Sequence, residues 1–153
     1  MPLRISLAGH VADIGAHPAK DDHRIRRLLF DLSDDAALPN GIHAGLDKVA
    51  RALNLYALAG IPDRQVEVVV LLHGKATSLA LRPEAFTLRT GHANANAHLL
   101  EALLDTGVRI EVCGQAIHRH GYGLDEVNRR IPVQLSALQR RESLLSSGFV
   151  SVD

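Results

Sequence analysis

Val66-Glu67-Val68-Val69-Val70-Leu71-Leu72, followed by His73-Gly74, is the stretch that decides the fold of this 153-residue chain. It is nearly continuous in β-branched and other apolar residues, the signature of a central parallel strand covered on both faces. On its amino side, residues 44–59 carry a helical period. Leu46, Val49, Ala50, Leu53, Tyr56 and Ala57 fall on one face, with Asp47, Lys48, Arg51 and Asn54 elsewhere. Gly60 and Pro62 stop that helix. Before it, Ile25–Leu32 reads as a strand with Leu28, Phe30 and Leu32 on one face, and Pro39-Asn40-Gly41 supplies turn chemistry.

On the carboxyl side, Pro83 opens a helical turn, and Leu99, Leu100, Leu103 and Leu104 stripe a helix over 97–106. A strand over 108–112 ends at Cys113, and a loop holding Gly114, Gly121 and Gly123 follows, with one helical turn at Leu124–Val127. A short strand over 130–134 comes next. Ser136 and Gln139 form a capping-box pattern that starts a helix over 136–147, and a strand over 149–152 closes the order. Such alternation predicts an α/β fold with a mainly parallel sheet and helices on both faces. Right-handed crossovers then collect the strand-end residues Ser33, His73 and Cys113 at one edge. Residues 1–23 show no sustained period and read as an N-terminal arm against the body or a neighbouring subunit, leaving 24–153 as the α/β domain.

Lys plus Arg equals Asp plus Glu, 17 each, and aromatics make up 3% with no Trp. This balance argues against nucleic-acid and anionic-membrane partners. The pairs Arg26-Arg27, Arg129-Arg130 and Arg140-Arg141 read as solvated ends. No apolar run is long enough to span a membrane, and His10 and Asp13 interrupt the only leader-like stretch. The single reduced cysteine suits a cytoplasmic setting.

No cofactor motif is present. His73-Gly74-Lys75-Ala76-Thr77 lacks the first glycine of a phosphate loop, because Val69 stands there, and Ala76 replaces the magnesium-binding hydroxyl. Nine histidines, including His92, His98, His118 and His120, offer metal ligands, yet their spacing matches no closed zinc pattern. No metal is expected. Cys113 has no partner for a disulfide within the chain. Just past a strand end it stands where open α/β sheets bind ligands, and a small buried hydrophobe is the competing reading.

Three segments, V-E-V-V-V-L-L-H-G (66–74), G-V-R-I-E-V-C-G-Q (107–115) and I-P-V-Q-L-S-A-L (131–138), resemble the DsrE/DsrF-like family, which includes YchN-like proteins and sulfur-relay subunits. The resemblance covers about residues 24–152. It implies a three-layer α/β/α sandwich with a five-stranded sheet, assembled as a homotrimer or homohexamer. Cys113 matches the family cysteine, which implies a persulfide passed between sulfur donor and acceptor proteins. His73 matches the His-Gly at a strand end and is expected to pair with the thiolate or shuttle its proton. Gly74, Gly114 and Gln115 are expected to bind ligand: the glycines through close backbone approach, Gln115 by donating to a terminal sulfur. The alternative is an oligomeric small-ligand or metal-binding accessory protein without catalysis.

Overall fold

A strand that is apolar on both faces needs helices on both sides. In the computed structural model, which describes residues 3–16 and 23–153, the strands are β1 (Arg26–Leu32), β2 (Val66–Leu72), β3 (Arg109–Cys113), β4 (Val133–Gln134) and β5 (Val150–Val152). They form one five-stranded sheet in the order β4-β3-β2-β1-β5, parallel at every pairing. The helices are α1 (Ala44–Leu58), α2 (Pro83–Thr90), α3 (Ala97–Asp105), α4 (Gly114–Arg119) and α5 (Ala137–Ser146). The expected α/β class is present. No helix among the described residues is long and apolar enough to cross a membrane.

Strand order explains the layers. From β1 to β4 the chain steps one way across the sheet, and right-handed crossovers put those connections on one face. There Phe30, Val70, Leu72, Ile110 and Val112 pack with Leu46 and Val49 of α1 and Leu99 and Leu103 of α3. After β4 the direction reverses and the chain returns beyond β1, so α5 covers the opposite face. Leu29, Val69, Leu71 and Cys113 meet Ala137 and Leu144 of α5 there. A crevice lies on that face at the carboxyl ends of β1, β2 and β3.

Several local expectations change. β4 is shorter than 130–134, since Pro132 has no N–H for the ladder and Arg130 turns away to pair with Glu101 and Asp105. The segment read as a loop because of Gly114 begins with helix α4, whose Ala116 and Ile117 are buried against the sheet. The turn opened by Pro83 continues as α2 to Thr90.

The described part of the amino-terminal segment packs on the body. For residues 1–2 and 17–22, including Pro18 and Lys20-Asp21-Asp22, the expected arm lies outside the described residues. Within 3–16, Ile5 and Ala8 are buried in the main core. They are held by Asn54, which the helical period places away from the apolar stripe and which is in fact fully buried. Asn54 Oδ1 accepts from the Ile5 N–H at 2.9 Å, and Nδ2 donates to the carbonyls of Ile5 and Gly9 at 2.9 and 3.0 Å. Gly9 has φ +68, and a Cβ there would lie 2.3 Å from the Arg51 backbone nitrogen, so only glycine lets the arm approach α1 this closely.

A second anchor reaches the sheet edge. Arg89 of α2 donates twice to Glu126, each bond at 2.6 Å, and Glu126 also accepts from the Gly123 N–H at 2.9 Å. The Arg89 guanidinium lies over Tyr122, Tyr122 stacks on His120, and His120 Nε2 donates to the Gly74 carbonyl at 3.0 Å. Hydrogen bonds from Arg89, then from the Gly123 N–H, lower the Glu126 carboxyl from 4.5 to about 2.

Two outcomes follow. Asn54→Leu strands one buried N–H and at least two carbonyls, each costing about 1–3 kcal/mol. Urea unfolding should lose at least about 2 kcal/mol, and a loss near zero would mean that the arm is not anchored there. Carboxyl NMR should place the Glu126 midpoint near 2, and Arg89→Gln should move it up toward 4.5. Because the folded value is the lower one, this contribution to stability is complete above about 4.5 and disappears as pH falls through about 2.

Candidate functional site

Alternation along the strands builds the site. On β3 it turns Glu111 and Cys113 toward α5, and on β2 it turns Val69 and Leu71 the same way. Leu72 pairs with Val112 in the ladder, so His73 and Cys113 leave the sheet one step later, side by side. Asp31, whose register partner is Leu71, comes from β1 on that same face. Asp31, His73 and Cys113 line one cavity of about 390 Å³, walled by Gln115 and Arg119 of α4 and by Ala137 and Arg141 of α5. Each helix contributes a pair four residues apart, which places both members on one face. Ser33 reaches the same edge, but its side chain lines the neighbouring cavity beside Lys48.

Cys113 is 6% exposed and packs among apolar neighbours, while its sulfur accepts the Ala137 N–H at 3.2 Å. Ala137 is the first residue of α5, where backbone N–H groups have no intrahelical acceptor and the helix end is electropositive. Ser136 caps that helix, its hydroxyl accepting from the Gln139 N–H at 3.1 Å. The thiol is thus a packed side chain whose sulfur meets a directed donor at the edge of a cavity.

Three ionic contacts set this geometry. Glu111, 3% exposed, accepts from Nε and Nη2 of Arg140 at 2.6 and 3.0 Å, which ties α5 to β3 two residues before Cys113. The same hydrogen bonds raise the Arg140 pKa above its ordinary value. His73 Nε2 donates to Asp31 Oδ1, and Arg141 Nε lies 3.6 Å from Asp31 Oδ2. The reading of Arg140-Arg141 as a solvated end is therefore corrected: one member is a buried-pair partner and the other lines the cavity.

The remaining expected residues stand as follows. Gly74 lines the cavity, with φ +53 and room for no Cβ, which would sit 2.8 Å from the Ser33 carbonyl. Gly114 is absent from the lining; its missing Cβ admits the Gln134 carbonyl, which would lie 2.7 Å away. Gln115 lines the cavity and donates to the Leu135 carbonyl at 3.2 Å. Among the described residues no group of three or more His, Cys, Asp or Glu side chains is placed to hold a metal ion. Asp31, Arg119, Ala137 and Arg141 escape the sequence reading. For Asp31 the available signal is a carboxylate between Phe30 and Leu32 in a strand whose other face is apolar.

No curated protein sequence matches the chain. A protein of unknown function, MTH1491 from Methanobacterium thermoautotrophicum, superposes with a TM-score of 0.59 at 15% identity, covering 83% of this chain and 97% of that one. That likeness is one of fold. The DsrE/DsrF-like family model matches residues 42–150, which include α1, every strand but β1 and the last two residues of β5, and the cavity residues from His73 to Arg141. By that match over most of its length, the chain belongs to the DsrE/DsrF-like family.

Proposed function

We propose that the protein is a sulfur carrier, or a sulfurtransferase-like protein, in which Cys113 accepts sulfane sulfur as a persulfide. The family is associated with sulfur relay. The observation that carries the reading is the Ala137 N–H on the Cys113 sulfur beside a cavity lined by His73. The N–H holds the sulfur at the edge of that cavity, where a donor sulfur can approach it in line for exchange.

The Cys113 thiolate attacks the sulfane sulfur of a donor R–S–SH. A new S–S bond forms at Cys113, the donor S–S bond breaks, and R–S⁻ leaves with the electron pair. His73 holds its imidazole on Asp31 through Nε2, and Nδ1 is the nitrogen that takes the thiol proton and returns it to the leaving thiolate. An acceptor thiolate reverses the exchange and regenerates Cys113. Gln115 and Gly74 shape the wall against which the terminal sulfur sits, and Gly114 lets β4 close that wall. The sulfur donor and the acceptor thiol both reach the sulfur through the cavity mouth.

Assembly as a homotrimer or homohexamer belongs to the same proposal. Charged residues in β3 do not require it, since Glu111 is neutralised within the chain by Arg140. Its support is the exposed apolar surface at Val133, Leu135 and Leu138 along the edge strand β4 and the start of α5. Covering an open strand edge and an apolar patch favours self-association.

Incubation with polysulfide followed by intact-mass analysis should add sulfur to the native protein and none to Cys113→Ser, with both proteins equally folded by circular dichroism. His73→Ala should slow loading by about ten- to a hundredfold. A native thiol that stays unmodified would return the protein to the ligand-binding accessory reading. Light scattering should give a trimer or hexamer mass for the native chain and a smaller one for Leu135→Glu. A monomer mass for the native chain across micromolar concentrations rejects assembly.

A further inference from the structure

The cavity beside Cys113 has more positive charge than its own residues neutralise. Arg119 makes no hydrogen bond or ion pair among the described residues, yet it lines the cavity from the last turn of α4. Nη1 of Arg141 is buried and makes no hydrogen bond. The Arg141 side chain as a whole is 40% exposed and lines the cavity, so it presents its charge to what enters although Nη1 itself is out of reach of solvent. Asp31 is the one carboxylate in the lining. Its Oδ1 is taken by His73, and its Oδ2 faces Nε of Arg141 at 3.6 Å, leaving Nη1 unserved. The amino end of α5 adds further positive potential at Ala137.

Resting on the sulfur-carrier reading, we infer that the donor is a small organic persulfide bearing a carboxylate, held by Arg119 and Arg141 while its sulfane sulfur faces Cys113. Guanidinium groups match carboxylates in shape and charge. A volume of about 390 Å³ suits a small organic molecule and exceeds what a bare oxyanion needs. The transfer is balanced without an added oxidant. The Cys113 thiolate attacks the outer sulfur of the bound persulfide, the donor S–S bond breaks, and the carboxylate-bearing thiolate departs with the electron pair. The arginines bind the non-reacting end, so they act in positioning rather than in the bond exchange.

The test compares initial rates of Cys113 persulfidation, followed by intact mass, for three donors. Cysteine persulfide carries a carboxylate, cysteamine persulfide carries none, and thiosulfate carries a sulfonate and releases sulfite. The native protein should prefer cysteine persulfide over cysteamine persulfide. In Arg119→Gln and in Arg141→Gln that preference should fall by about ten- to a hundredfold. Arg119 has no partner to lose, so its variant should fold as the native protein does. Added sulfate gives a second measurement on unaltered protein: it should slow loading from cysteine persulfide and not from cysteamine persulfide. Equal native rates from the two persulfides, or a preference untouched by both variants and by sulfate, would overturn the inference while leaving the sulfur carrier intact. Thiosulfate loading faster than cysteine persulfide, with the same dependence on the arginines, would overturn the carboxylate assignment in favour of a sulfonate donor. Loading from no donor would remove the sulfur-carrier reading itself.

Discussion

Parallel strands are rejoined by right-handed crossovers, and this chain reverses its direction across the sheet once, after β4. That constraint places α5 on one face and α1 and α3 on the opposite one. It also leaves a crevice at the carboxyl ends of β1, β2 and β3, walled by α4 and α5. The crevice is a consequence of topology before any side chain is considered. Cys113 lies in it because β3 ends there, and α5 delivers an N–H to the sulfur because its first turn starts there.

Topology alone leaves the depth and rotation of α5 free by more than a hydrogen bond tolerates. The Glu111–Arg140 pair removes that freedom. A carboxylate almost without exposure is tenable only with a partner of good geometry, and Arg140 supplies two bonds. The pair costs desolvation, so its net contribution to stability is modest. Its value is registry: any slide of α5 along β3 breaks two charged bonds under apolar cover. The same logic applies at the other walls. His120 on the Gly74 carbonyl and Gln115 on the Leu135 carbonyl fix the backbone flanking His73 and Cys113.

Charge in the site is arranged asymmetrically. Glu111 and Arg140 cancel beneath the cavity, Asp31 orients His73, and Arg119 and Arg141 remain for whatever enters. The amino-terminal segment takes no part in this. It packs along α1 through Asp47 and Asn54 and adds Ile5 and Ala8 to the main core.

The class of fold was legible in local sequence. Continuous β-branched runs specify buried strands, a 3.6-residue apolar period specifies covered helices, and Ser136 capping Gln139 marks the start of α5, because each signal depends on residues a few positions apart. Strand ends were equally local, which is why His73 and Cys113 stood out. Asn54, Glu111 and the two arginines were not legible. Asn54 on a helix and Arg140-Arg141 in a charged run read as solvated until their partners, 49 residues away for Ile5 and 29 for Glu111, are known. Helix period also failed at Gly114, where a low propensity was overridden by close packing on β4. Local pattern thus determined which segments are strands and helices. Which polar side chains are buried, paired or left facing the cavity was decided only by tertiary structure, because burial and pairing are properties of the neighbours that distant chain segments bring.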